Sequence, residues 1–231
     1  MDFSDRATTY NGESPWITNY RFISPLVPPP FSRNKFLDVC TGTGLVASYA
    51  KDIGWDVTAT DINAVILEKA RDDISKKIMS VEKMSFDSDS FEIVSCRQGL
   101  QYTDIEKAVS ECIRVSSSQV RLLHGFVNES DIPVWQEIIH LLNRQSRKFF
   151  SDVMLNDIIN SQCVSKKHIF EYDISDEIFD FSNSPHKEKI LQLINLSPTF
   201  LENHSAYFDG FVLHYKLKWI LNIIYKHEVK I

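Results

Sequence analysis

The stretch of the sequence richest in chemistry is Phe36-Leu37-Asp38-Val39-Cys40-Thr41-Gly42-Thr43-Gly44-Leu45-Val46-Ala47, an apolar run that passes through a turn of small residues into a helix-like segment. Only small residues let backbone N–H groups approach a ligand closely at a helix N-terminus. Taken alone, such a turn between strand and helix is at least as often purely structural. Asp61, at the end of the next strand-like run, adds a second group. Its carboxylate can accept hydrogen bonds from both hydroxyls of a ribose, or it can cap the helix that follows. His124 closes a later apolar run and has the ring chemistry of a general base, with a hydrogen-bonded structural histidine as the alternative. Tyr10, Gln98 and Tyr102 are further polar groups able to orient a substrate. For Tyr10, Trp16 and Tyr20 the alternative is simple packing of an N-terminal arm.

The elements that must position these residues alternate between residues 31 and 127. Strands are predicted over 35–40, 56–61, 77–81, 91–96 and 119–126, and helices over 44–53, 63–74 and 104–115. Their short connections suit a doubly wound sheet that binds ligands at its C-terminal strand ends. Residues 1–30 are polar and aromatic and end in Pro28-Pro29-Pro30, which reads as a lid joined by a stiff spacer. Helical spacing recurs over 133–149, and again over 154–159 after a Ser151 cap. Alternating runs at 168–174 and 211–219 read as two final strands, with a helix opened by Ser184-Pro185 between them as a roof. The expected fold is α/β and Rossmann-like: a mostly parallel seven-stranded sheet with an antiparallel last strand, a lid and a helical insertion. One domain is expected over 1–231, divided into a lid (1–30), a core (31–130), a helical cover and insertion (131–205) and a C-terminal strand (206–231).

Composition narrows the classes. An apolar fraction of 43% with 24% charged residues is that of a soluble globular chain, and no run is long and apolar enough to span a bilayer. The first residues lack the basic and apolar regions of a secretory signal, so a cytoplasmic location is expected. The four cysteines, Cys40, Cys96, Cys112 and Cys163, form no CxxC pair, and free thiols without a structural metal are expected. A net charge of −6 disfavours a nucleic-acid partner, whose phosphates require concentrated Lys and Arg. Lys166-Lys167 and Lys216 with Lys218 read as solvated strand faces.

Several of these segments together resemble one family. Residues 37–47 with Asp61-Ile62-Asn63 are similar to motif I and the following acidic motif of class I S-adenosylmethionine-dependent methyltransferases, especially the group that includes ubiquinone and menaquinone methyltransferases. The run from Met84 to Val94 resembles the family's loop into its fourth strand. Cys96-Arg97-Gln98-Gly99-Leu100-Gln101-Tyr102 stands where its cofactor and substrate contacts lie, and Glu111-Cys112-Ile113-Arg114-Val115 resembles its E-x-x-R-V helix end. The resemblance covers about 36–127. It implies that Asp38 orders the turn, that Thr41, Gly42, Thr43 and Gly44 line the methionine side of the cofactor, and that Asp61 holds the ribose. It further implies that Ile62 packs on the adenine and Gln98 meets the methionine end. Arg6 and Tyr10 fall where relatives bring an N-terminal segment over the cofactor. Cys40 replaces the motif's first glycine, Ser116-Ser117-Ser118 replaces a Pro-Gly-Gly turn, and Ser80 replaces the acidic residue that meets the adenine amino group. Adenine recognition then falls to backbone near Val81.

The function expected from this resemblance is methyl transfer from S-adenosylmethionine to an oxygen or nitrogen of a small molecule, in secondary or cofactor metabolism. His124, Tyr10 and Gln98 are the catalytic candidates, and a small-molecule acceptor is the expected partner. Methylation of a protein or nucleic acid, and a non-catalytic cofactor-binding module, are the alternatives. The aromatic arm and the insertion serve either to cover the acceptor or to form a homodimer.

Overall fold

Strands that are apolar on both faces need helices on both sides, and residues 35–125 supply them in alternation. The structure is a computed structural model describing residues 10–12, 15–142, 148–162 and 166–226. A short helix, α1 (Pro15–Thr18), precedes β1 (Lys35–Val39), α2 (Leu45–Asp52), β2 (Asp56–Asp61), α3 (Ala64–Leu67), β3 (Ser75–Ile78) and β4 (Phe91–Arg97). Then follow α4 (Ile105–Val115), β5 (Ser116–Gly125), α5 (Ile132–Leu141), α6 (Asp152–Ser161), β6 (Lys166–Asp180), α7 (Lys187–Asn195), α8 (Pro198–Asn203), β7 (Tyr207–Asp209) and β8 (Val212–Tyr225). The strands run in the order β3-β2-β1-β4-β5-β8-β6, parallel as far as β5 and antiparallel beyond it. The order reverses between β1 and β4, the point at which open sheets of this type bind ligands.

The expected sheet is therefore present, with one addition: the three-residue β7 pairs with β8 off the main path and makes eight strands. Two cores cover its faces. Leu37, Val94 and Leu122 pack with α4 and α6 on one side. Phe36, Ile93 and Leu123 pack with α2 and the N-terminal arm on the other. The arm is held by aromatic contacts, with Trp16 and Phe22 lying 4.7 and 4.9 Å from the ring of Trp219. A third cluster, built on Ile138, Ile190, Phe200 and Leu213, joins α5 to the inserted helices.

Several local expectations shift: the helical spacing read over 133–149 yields a helix only as far as Leu141, and the strand read over 77–81 lies at Ser75–Ile78. The helix predicted over 63–74 stops at Leu67, because β3 starts at Ser75 and a helix running up to that residue would leave no chain with which to turn back. Ser116-Ser117-Ser118 forms no separate turn. Ser116 caps α4 in an extended conformation and β5 begins there, with a register shift between Phe91 and Ile93 absorbing the mismatch. The roof has two helices, α7 and α8, in place of the single helix predicted through Leu196. Ser151 caps α6 as expected, accepting from the Met154 N–H. Among the described residues no helix is long and apolar enough to cross a membrane.

Candidate functional site at the sheet reversal

The turn after β1 is shaped by three left-handed residues, Cys40 (φ 50°), Gly42 (φ 58°) and Gly44 (φ 84°). Its two glycines do different work. A Cβ on Gly44 would lie 2.6 Å from the Ala70 Cβ, so this glycine lets the chain after α3 pack against the start of α2. A Cβ on Gly42 would meet only Ile66 Cδ1, at 4.0 Å, so its face is open. Cys40, at the position of a usual glycine, is accommodated from across the sheet. A Cβ on Gly99 would lie 2.3 Å from Cys40 Cβ, which means Gly99 has ceded its space. A hydrogen bond with Cys96, together with burial, pushes the Cys40 thiol well above its ordinary value and keeps it a thiol rather than a nucleophile.

Asp61 reaches from β2 to this turn. One carboxylate oxygen accepts from the Gly42 N–H at 2.9 Å and the other from the Asn63 N–H at 2.9 Å. Capping of α3 falls to Asn63, whose side chain accepts from Val65 and Ile66 N–H. Each Asp61 oxygen keeps a further lone pair for a ligand hydroxyl. Thr41 tightens the turn by donating to the Asp38 carbonyl at 2.6 Å, and Thr43 Oγ1 donates to Asn11 Oδ1 of the arm at 2.7 Å. Beside Asp61, Ile62 is 74% exposed. The Val81 side chain is buried in the core, which leaves its backbone as the part able to meet a ligand.

Asp38 is 2% exposed and accepts from Ser95 Oγ at 2.7 Å. Burial pushes its carboxyl up to about 7, against the lowering pull of the Ser95 hydroxyl and the Arg97 guanidinium. Asp38 and Arg97 line one small cavity with Cys40, Thr41, Gly42 and Thr43. A carboxylate and a guanidinium in one cavity complement a zwitterion, such as the ammonium and carboxylate of an amino-acid group. Arg97 also donates to the Ile17 carbonyl at 2.8 Å and lies 5.4 Å from the Trp16 ring, tying the arm to the end of β4.

Comparison with known proteins agrees with this arrangement. Residues 37–123 match a family described as a methyltransferase domain, the type 11 group. A 122-residue stretch is 29% identical to the uncharacterized methyltransferase YcgJ of Bacillus subtilis, spanning 49% of this chain and about half (48%) of that relative. Over residues 37–123 the chain is thus similar to the class I S-adenosylmethionine-dependent methyltransferases of that group. The crystal structure of YcgJ shares the methyltransferase fold at a TM-score of 0.73 and 18% identity, covering 91% of this chain and 100% of that one. A putative methyltransferase of Bacillus halodurans gives 0.71 at 18% identity, covering 90% and 98%. The geranyl diphosphate C-methyltransferase of Streptomyces coelicolor, solved with Mg2+, geranyl diphosphate and S-adenosylhomocysteine, gives 0.60 at 13% identity, covering 89% and 77%.

The structure brings Asp38, Thr41, Gly42, Thr43, Gly44, Asp61 and Ile62 together around one turn. Gln98 stands at the end of β4 in a left-handed conformation (φ 56°), one residue beyond Arg97, and lines a second cavity with Gly125, Trp135 and Tyr215. His124 is 4% exposed with its ring 5.1 Å from that of Phe150, and it is not among the residues lining either cavity. Tyr10 opens a short turn, and its side chain, like Arg6 and Cys163, lies outside the described residues. Ser95 is not singled out by the sequence, and Arg97 and Gly99 enter there only as members of the segment after β4, with no role of their own. A bulky Cys40 in a glycine turn was the signal that a glycine must face it. Among the described residues no group of three His, Cys, Asp or Glu is placed to hold a metal.

Proposed function

We propose that this chain transfers a methyl group from S-adenosylmethionine to an oxygen or nitrogen nucleophile of a small molecule in secondary or cofactor metabolism. The observation that carries the reading is the turn at the sheet reversal, where the open face of Gly42, the Asp61 carboxylate and the Asp38–Arg97 pair converge. These residues fit the cofactor. Asp61 has lone pairs for the ribose hydroxyls, exposed Ile62 offers an apolar face to the adenine, and Asp38 with Arg97 complements the amino-acid end. The cofactor supplies an activated methyl group, whose S–CH3 bonding pair stays on sulfur as a neutral thioether. The chain's own part is to align the acceptor and to keep water away.

Of the three catalytic candidates we assign acceptor contact to Gln98, which lines the second cavity one residue beyond Arg97 of the first. The arm contributes by covering Arg97 with Trp16. Calorimetric titration with S-adenosylhomocysteine tests the reading, with saturable one-to-one binding expected. Binding of a nicotinamide dinucleotide, with none of S-adenosylhomocysteine, would overturn it.

A further inference from the structure

Two cavities lie side by side beyond the ends of β4, β5 and β8, sharing Phe126 and His204 as their common wall. The inner one has a volume of about 100 Å3 and is faced by Trp135, Phe149, Phe179 and Tyr215, with no Asp, Glu, Lys or Arg among the described residues that line it. Apolar cavities of roughly 150 Å3 hold one benzene ring, so this chamber, about two thirds of that volume, takes a single ring at most. Its rings are already arranged around Trp135: Phe149 stacks on it at 5.9 Å, and Tyr215 is tilted at 5.9 Å. The outer cavity, about 400 Å3, is polar, lined by Asn128, Glu202, Asn203, Ser205 and Lys218.

The shared wall is a built feature. Asp131 is 1% exposed, and its carboxylate accepts from Asn203 Nδ2 at 3.2 Å, Ser130 Oγ at 3.3 Å and Asn128 Nδ2 at 3.4 Å. His204, 4% exposed, places Nδ1 3.2 Å from the Lys216 carbonyl and Nε2 3.2 Å from Asp131 Oδ2, the latter not aligned as a hydrogen bond. Burying two titratable side chains is costly unless they are held by partners. Here they fasten the start of α5 and the end of α8 to β8, so the wall shared by the two cavities is fixed in place.

The inner chamber meets the cofactor turn through Gln98. Its strained backbone is held by the Gln98 N–H donating to the Leu123 carbonyl at 3.0 Å. Its carboxamide has room because residue 125 is glycine: a Cβ there would lie 3.0 Å from Gln98 Nε2 and 2.8 Å from Leu217. A carboxamide both donates and accepts, as needed to hold a hydroxyl or amino group.

Resting on the methyl-transfer reading above, we propose that the two cavities form one acceptor site for an amphiphilic aromatic molecule. Its ring lies in the inner chamber with a ring-borne hydroxyl or amino group at Gln98, and a polar hydrogen-bonding tail passes between Phe126 and His204 to the outer cavity.

The test is calorimetry on the full chain, with and without S-adenosylhomocysteine, using N-acetyltyramine as the probe. N-butylacetamide lacks the ring and 4-ethylphenol lacks the amide tail. N-acetyltyramine is expected to bind at least about tenfold more tightly than either, and Val127→Trp, which fills the inner chamber, is expected to lose that advantage while S-adenosylhomocysteine affinity stays within about twofold. Equal binding of the three compounds to the unaltered protein overturns the proposal, as does a Val127→Trp protein that holds S-adenosylhomocysteine and still prefers N-acetyltyramine. Preference for N-acetyltyramine without any S-adenosylhomocysteine binding supports the amphiphile site and defeats only the methyl-transfer reading.

Discussion

Replacing Asp38 by Asn should reverse the order of stability between variant and parent as pH rises. The carboxyl is buried, and burial raises it from 3.8 to about 7. Between those values the folded chain holds a proton that the unfolded chain has released, so stability falls by about 1.4 kcal/mol per pH unit across that window. Over roughly three units the loss is on the order of 4 kcal/mol, complete only above pH 7. Asn cannot ionise and escapes this loss. It has its own cost, because its NH2 replaces an oxygen that accepts from the Ala47 backbone, and a mismatched buried donor costs about 1–3 kcal/mol. The variant should therefore be less stable than the parent at pH 4 and more stable at pH 8, with the difference swinging by roughly 4 kcal/mol, or about 8–16 °C in Tm for a chain of this size. Urea or thermal melts of both proteins from pH 4 to 8.5 measure it, and titrations common to the two cancel. A constant difference across that range would refute the argument. The variant should also bind S-adenosylhomocysteine at least about tenfold more weakly at pH 8, where the parent presents an ionised partner to the ammonium group.

Asp61→Ala should weaken S-adenosylhomocysteine binding by about 1.5–3 kcal/mol in calorimetry, whereas Asn63→Ala should cost about 1 kcal/mol of stability through the lost α3 cap and leave affinity nearly unchanged; an equal affinity loss in both would mean that the turn acts only as a unit. Gly44→Ala should destabilise the fold by at least about 2 kcal/mol in urea melts, since its Cβ would collide with Ala70, while Gly42→Ala should melt closer to the parent and lose ligand binding.

The turn after β1 was legible because its physics is local. A strand, a small-residue turn and a helix lie within twelve consecutive residues, Phe36 to Ala47, and the alternation downstream fixes which strand ends lie nearby. Asp61 was found, with its two alternatives open, and the structure gives the cap to Asn63 because Asp61 is drawn across to the Gly42 N–H. Arg97 was placed in the segment after β4 but given no role of its own, because its meaning depends on Asp38 and Ile17, distant in the chain and adjacent only once β1, β4 and the arm have assembled. The inner chamber was foreseen only as an acceptor site covered by the arm and the insertion. Its walls come from α5, β6, β8 and Phe149, and no periodicity in one segment can show that four segments converge. The ending of α3 at Leu67 was missed for a related reason: helical spacing persists past the point where the chain must turn toward β3.

The contact between Gly99 and Cys40 makes two positions, 59 residues apart in the chain, a single inheritance. The space beneath the turn after β1 admits one side chain, and here it has gone to residue 40 while residue 99 has none. Any substitution that enlarges residue 99 is therefore a demand for a smaller residue 40, and a chain restoring glycine at 40 would gain freedom at 99. The two changes are expected to be each other's suppressors: Gly99→Ala damaging alone, Cys40→Gly leaving a void alone, and the pair together nearer to the parent than the first change by itself.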